Sequence, residues 1–325
     1  MFIFLKRPIL FNRTILIVGG AGFIGSHLAD KLLEGRNNKI IILDNLFTGN
    51  KENVNWAMEN GAILHIDDAE NFEILQYIVE TYDIDIVFNC ATKPLNYSFI
   101  NPSNAFLTNV VVLKNLLELQ RKQEFQTLCH FSSSEAYGSA LYEPMDEEHP
   151  LLPTTSYAAG KAAADLMLQS YVKMFDLDAF IVRPFNNYGP RQNFSGPLAG
   201  IIPVTIKKIL DGHPPEIHGS GKQTRDFIYV NDTVDLVCEV FSKIIGGECV
   251  NITTNQQLAI SEVVKIITEE LSYNGNITKK PGRKADVVSH RGSDKKLHSL
   301  VGDYKKTDFR GGIRATIQWM KQLPL

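Results

Sequence analysis

Thr14-Ile-Leu-Ile-Val-Gly-Gly-Ala-Gly-Phe-Ile-Gly-Ser-His-Leu-Ala-Asp30 is the stretch that decides the fold. Its β-branched apolar start, Ile15 to Val18, reads as a fully buried parallel strand. Gly19, Gly22 and Gly25 follow at three-residue spacing, and Phe23, Ile24, Leu28, Leu32 and Leu33 then recur at helical spacing. Strand, glycine turn and helix make a pyrophosphate cradle. One glycine forms the turn, one admits the phosphates to the backbone, and one lets helix and strand pack closely. A strand predicted over 39–43 then ends in Asp44, where a carboxylate would accept the adenosine ribose hydroxyls. That carboxylate would repel a 2′-phosphate, and no arginine follows it directly, so the pattern favours NAD over NADP.

The net charge of −3 gives no electrostatic reason to expect a nucleic-acid partner. No apolar run is long enough to span a bilayer, and residues 1–12 read as a lead-in rather than a secretory signal. Cys90, Cys129, Cys238 and Cys249 show no CxxC pair. Reduced thiols and a cytoplasmic setting are therefore expected. The eight histidines show no metal-ligand spacing, so no metal site is expected.

Further along, strands are predicted over 62–66, 84–89, 127–131 and 179–182, with helices over 70–82, 102–122 and 156–175. Regular alternation implies parallel β-α-β units and an α/β doubly wound sheet, with ligands at the carboxyl ends of the strands. From about residue 190 the elements shorten, and helices are expected at 201–210, 230–244, 261–271 and 314–321. The reading divides the chain into the lead-in 1–12, a dinucleotide-binding domain 13–190 and a smaller α/β lobe 191–325, with crossings between lobes allowed.

Tyr157-Ala-Ala-Gly-Lys161 puts a phenol and an ammonium on one helix face. A free tyrosine, with a pKa of roughly 10, is a poor base at neutral pH. A neighbouring lysine and a positively charged nicotinamide favour the phenolate, which can take a proton from a sugar hydroxyl as its carbon gives up a hydride.

The chain resembles the extended short-chain dehydrogenase/reductase family, within it the nucleotide-sugar epimerases and dehydratases. The resemblance rests on Gly19-Gly-Ala-Gly-Phe-Ile-Gly25, Asp44-Asn-Leu46, Ser132-Ser-Ser-Glu-Ala-Tyr-Gly138 and Tyr157-x-x-x-Lys161. Arg183-Pro-Phe-Asn186, Tyr188-Gly-Pro-Arg191 and Gln223-Thr-Arg-Asp-Phe227 complete it. It implies a Rossmann-type sheet with a C-terminal substrate-binding lobe and a homodimer through the helices near 102–122 and 156–175. Leu113, Leu116, Leu117, Leu166, Met167 and Tyr171 are interface candidates that core packing explains equally well.

By position, the resemblance gives NAD to Gly19, Gly22, Phe23, Ile24, Gly25, Asp44, Asn45, Asp67, Asp68, Ala91, Lys93 and Asn109, besides Tyr157 and Lys161. It makes Ser133 the partner of the reacting hydroxyl. Ser134, Asn186, Arg191, Arg225 and Arg283 fall where the family meets the nucleotide sugar. Glu135 stands where dehydratases keep the base that removes the C5 proton beside a 4-ketone. The resulting expectation is an NDP-hexose (UDP-, GDP- or dTDP-linked) 4,6-dehydratase that retains NAD through its cycle. Ser134 stands where dTDP-glucose dehydratases carry an aspartate, and Thr-Ser-Glu also occurs in UDP-glucuronate decarboxylases. A 4-epimerase (UDP-glucose or UDP-glucuronate type) or a decarboxylase is the alternative, and an NAD-sensing binding protein is the non-enzyme alternative.

Overall fold

The glycine-bounded apolar run becomes the middle of a parallel sheet in the computed structural model, which describes residues 7–282 and 287–323. Strand β1 (Thr14–Val18) leads through the turn into α1 (Phe23–Leu33), and β2 (Lys39–Asp44) follows. Next come α2 (Asn55–Glu59), β3 (Ile63–Ile66), α3 (Phe72–Tyr82), β4 (Ile86–Asn89) and α4 (Pro102–Arg121). Then β5 (Thr127–Phe131), α5 (Ser156–Phe175), β6 (Asp178–Pro184), β7 (Asn186–Tyr188) and α6 (Ile201–Leu210) continue the chain. Short strands β8 (Glu216–His218), β9 (Thr224–Arg225) and β10 (Phe227–Tyr229) precede α7 (Val230–Val240) and β11 (Cys249–Ile252). The chain closes with β12 (Leu258–Ala259), α8 (Ile260–Glu270), β13 (Thr278–Lys280), α9 (Lys295–Val301) and α10 (Phe309–Lys321).

Seven strands form one sheet in the order β3-β2-β1-β4-β5-β6-β11, every neighbouring pair parallel. The order reverses between β1 and β4, which opens a crevice at their carboxyl ends. Alternate β1 side chains feed two cores: Ile15 and Ile17 meet Leu28 and Leu32 of α1 and Val237 of α7. On the other face Leu16 and Val18 meet Leu75 of α3, Leu113 and Leu116 of α4 and Leu168 of α5. Leu113, Leu116 and Leu117 are fully buried there, whereas Leu166 on α5 is 58% exposed.

Helix α5 starts because the Thr155 hydroxyl accepts the Ala158 N–H, and it stops where Asp176 turns left-handed at φ 55°. Gly160 lets it lie against α4, since a Cβ there would sit 2.7 Å from the Phe106 carbonyl oxygen. A third core, with Ile202 and Ile206 of α6, Val263 and Ile267 of α8 and Ile313 and Met320 of α10, builds the smaller lobe. The chain does not remain in that lobe: α7 and β11 return to the large sheet. The segment at 7–12 packs on this sheet too. Arg7 pairs with Asp178, donates to the Phe241 and Ile244 carbonyls at 2.6 and 2.7 Å, and covers the Phe180 ring.

Candidate active site

At the switch point the β1–α1 turn lines a cleft of about 310 Å³. Gly19 adopts φ 77°, and a Cβ on it would sit 2.7 Å from the backbone of Ala91. A Cβ on Gly25 would run into the Gly19 carbonyl oxygen. Neither position takes a side chain, so the turn stays tight and its backbone faces the cleft. Gly22 caps α1 without a side-chain hydrogen bond, and no acidic residue occupies the first turn. The free N–H groups there suit an anion.

Asp44 receives the Ala21 N–H at 2.9 Å and the Leu46 N–H at 2.8 Å, one on each carboxylate oxygen. Burial pushes its carboxyl upward and those backbone donors pull it back. Each oxygen keeps lone pairs for a ribose hydroxyl. Phe23, Ile24, Asn45, Asp67, Asp68, Ala91 and Lys93 also line the cleft. The Asn45 amide donates to Asp68 at 2.8 Å, and the Lys93 ammonium lies 3.8 Å over the Phe47 ring. Glycine cradle, uncapped helix terminus and paired carboxylate fit a dinucleotide.

Ser133, Tyr157 and Lys161 line the inner wall of the same cleft. Ser133 lies just past β5, where its hydroxyl accepts the Glu135 N–H at 3.2 Å. Tyr157 opens α5, its N–H held by the Ser98 hydroxyl at 2.9 Å. Burial pushes the phenol up to about 12, while hydroxyls of Ser133 and Thr92 favour its ionised form and Glu135 opposes it. Lys161 is 1% exposed and donates to the Phe131 carbonyl at 2.7 Å. Burial brings its ammonium down to about 8, with Asp165 resisting the shift. Asn109 does not line the cleft. Its side-chain oxygen accepts from the Thr92 hydroxyl at 2.8 Å, so it acts there through Thr92, which sequence reasoning missed.

A second cavity, of about 250 Å³, holds Glu135, Asn186 and Arg225 with Phe99, His218 and Phe227. Arg225 is fixed by donating to the Thr224 and Val287 carbonyls at 2.9 and 2.7 Å. Ser134 lies outside this lining: it is 3% exposed and its carbonyl accepts from His290 at 3.1 Å. Arg191 also lies outside this lining. Its left-handed backbone, φ 66°, turns it back onto α1, where it pairs with Asp30 at 2.7 Å and lines the dinucleotide cleft. Arg283 lies outside the described residues. Among those described, no helix is long and apolar enough to cross a membrane.

Comparison with known proteins agrees with this geometry. Residues 15–253 match the model of the NAD dependent epimerase/dehydratase family. A putative UDP-glucose 4-epimerase of Methanocaldococcus jannaschii is 36% identical, over 94% of this chain and 98% of that one. UDP-glucuronic acid decarboxylase 4 of Arabidopsis thaliana is 30% identical, over 98% of this chain and 70% of that one. Among solved structures, dTDP-glucose 4,6-dehydratase of Bacillus anthracis in complex with NAD superposes with a TM-score of 0.86. It is 28% identical, over 96% of this chain and 97% of that one. The chain belongs to the NAD-dependent epimerase/dehydratase family of nucleotide-sugar enzymes, and NAD is its cofactor.

Proposed function

We propose that the chain is an NDP-hexose 4,6-dehydratase. The observation that carries this reading is Glu135, a carboxylate in the wall of the second cavity whose charge reaches the Tyr157 phenol. The sugar would lie between the two groups, its nucleotide diphosphate toward Asn186 and Arg225. Asp44, the glycine turn and Lys93 would hold NAD, which supplies the hydride acceptor for C4 and the donor for the closing step. Tyr157, helped by the Ser133 hydroxyl, takes the proton of the 4-hydroxyl as C4 is oxidised to a ketone. The ketone acidifies the C5 hydrogen and Glu135 removes it. That hydrogen and the C6 hydroxyl leave together as one water, and hydride addition at C6 with a solvent-derived proton added at C5 gives the 4-keto-6-deoxy sugar.

A second reading, 4-epimerase or decarboxylase, draws on Ser134. The residue before Glu135 is Ser134, which has no carboxyl proton to give a departing hydroxyl and is itself buried. Incubation with UDP-glucose, dTDP-glucose, GDP-mannose and UDP-glucuronate, followed by mass analysis, separates the readings. Loss of water supports the dehydratase, an unchanged mass with inverted C4 the epimerase, and loss of carbon dioxide the decarboxylase.

The proposed unit is a homodimer joined through α4 and α5, whose outer faces expose Leu107, Leu166 and Met174. The proposed division of labour gives NAD to residues 13–190 and the nucleotide sugar mainly to residues 191–325. Four free cysteines support a reducing, cytoplasmic setting.

A further inference from the structure

Behind the catalytic wall lies a closed set of polar side chains that the proposed reaction does not use. Asp165, one turn beyond Lys161 on α5, is 1% exposed. One of its oxygens accepts from the Ser132 hydroxyl at 2.6 Å and from the Arg183 guanidinium at 2.7 Å. Its other oxygen faces His130 Nε2 at 3.8 Å, and neither of these two atoms has a hydrogen-bond partner among the described residues. The proton on His130 is placed by its neighbours. The Ala91 N–H donates to Asn89 Oδ1, which leaves the Asn89 amide N–H to donate to His130 Nδ1 at 3.2 Å and puts the ring proton on Nε2, toward Asp165.

We infer that Asp165 is a positioning residue of this active site. Its carboxylate ties α5, which carries Tyr157 and Lys161, to the ends of β5 and β6, and sets a negative charge beside the Lys161 ammonium. The inference rests on the proposed roles of Tyr157 and Lys161. Around Lys161 stand Asp165 on its own helix, Cys90 after β4 and His130 on β5. Burial raises the Cys90 thiol and lowers the His130 imidazole, so both are neutral at working pH. Among the described residues Asp165 is then the carboxylate that helps keep this buried ammonium protonated. Its tie to Ser132 also fixes the strand end from which Ser133 faces Tyr157.

The test uses the full chain with NAD and whichever of UDP-glucose, dTDP-glucose or GDP-mannose it turns over. In Asp165→Asn, kcat falls at least about tenfold while KM for the nucleotide sugar stays within about threefold. The alkaline limb of the kcat profile moves to lower pH, because Lys161 loses its proton earlier. Asp165→Asn/Arg183→Gln removes the stranded guanidinium charge as well, so its Tm recovers relative to the single variant. Its kcat and its alkaline limb do not recover. An unmoved limb in Asp165→Asn, or a kcat that recovers together with Tm in the double variant, overturns the inference. Full activity in Tyr157→Phe would instead overturn the reading beneath it.

Discussion

Tyr157 stands under two opposing influences, burial that keeps its phenol neutral and hydroxyl partners that favour the phenolate. If it takes the 4-hydroxyl proton, Tyr157→Phe should lower kcat by about 10²–10⁴ and leave NAD binding intact, which equilibrium fluorescence titration of the cofactor would check. Lys161 supports the phenolate only while protonated. Its proton is held with a pKa brought down to about 8, so kcat should decline as pH rises through that value. A profile flat to pH well above it would sever Lys161 from the mechanism. The Tyr157 and Lys161 pair was legible in the sequence because four-residue spacing on a helix is local geometry. Arg191 was not, because its partner Asp30 lies 161 positions away and a single left-handed residue decides where the guanidinium goes.

At the scale of elements, the β1–α1 turn and the α4–α5 contact carry the site. Asp44→Ala should cost about 1.5–3 kcal/mol of NAD affinity, read by calorimetry, since each carboxylate oxygen would serve a ribose hydroxyl. Gly160→Ala should cost about 1–3 kcal/mol of stability, because its methyl would push on the Phe106 carbonyl across the helix pair. An unchanged Tm would show that α4 gives way freely. Long elements announced themselves through apolar periodicity, and α5 matches its expected span of 156–175. The last strand of the sheet did not. Cys249-Val-Asn-Ile252 is four residues with a buried asparagine at its centre, too short for periodicity, and only pairing with β6 makes it a sheet strand.

Across the whole molecule, the proposed homodimer would bury the exposed apolar residues of α4 and α5, so Leu166→Glu with Met174→Glu should give a monomer in light scattering. The alternation of strands and helices made the sheet readable, whereas the two-residue strands and the return of α7 and β11 depend on contacts far apart in the chain. The central claim concerns Glu135 and the C5 proton, and conversion of dTDP-glucose, or another hexose nucleotide the chain accepts, in deuterated water tests it most directly. The expected product is a 4-keto-6-deoxy sugar that has lost water and carries solvent deuterium at C5, with Glu135→Gln forming none. A product that keeps its mass and its original C5 hydrogen would contradict it.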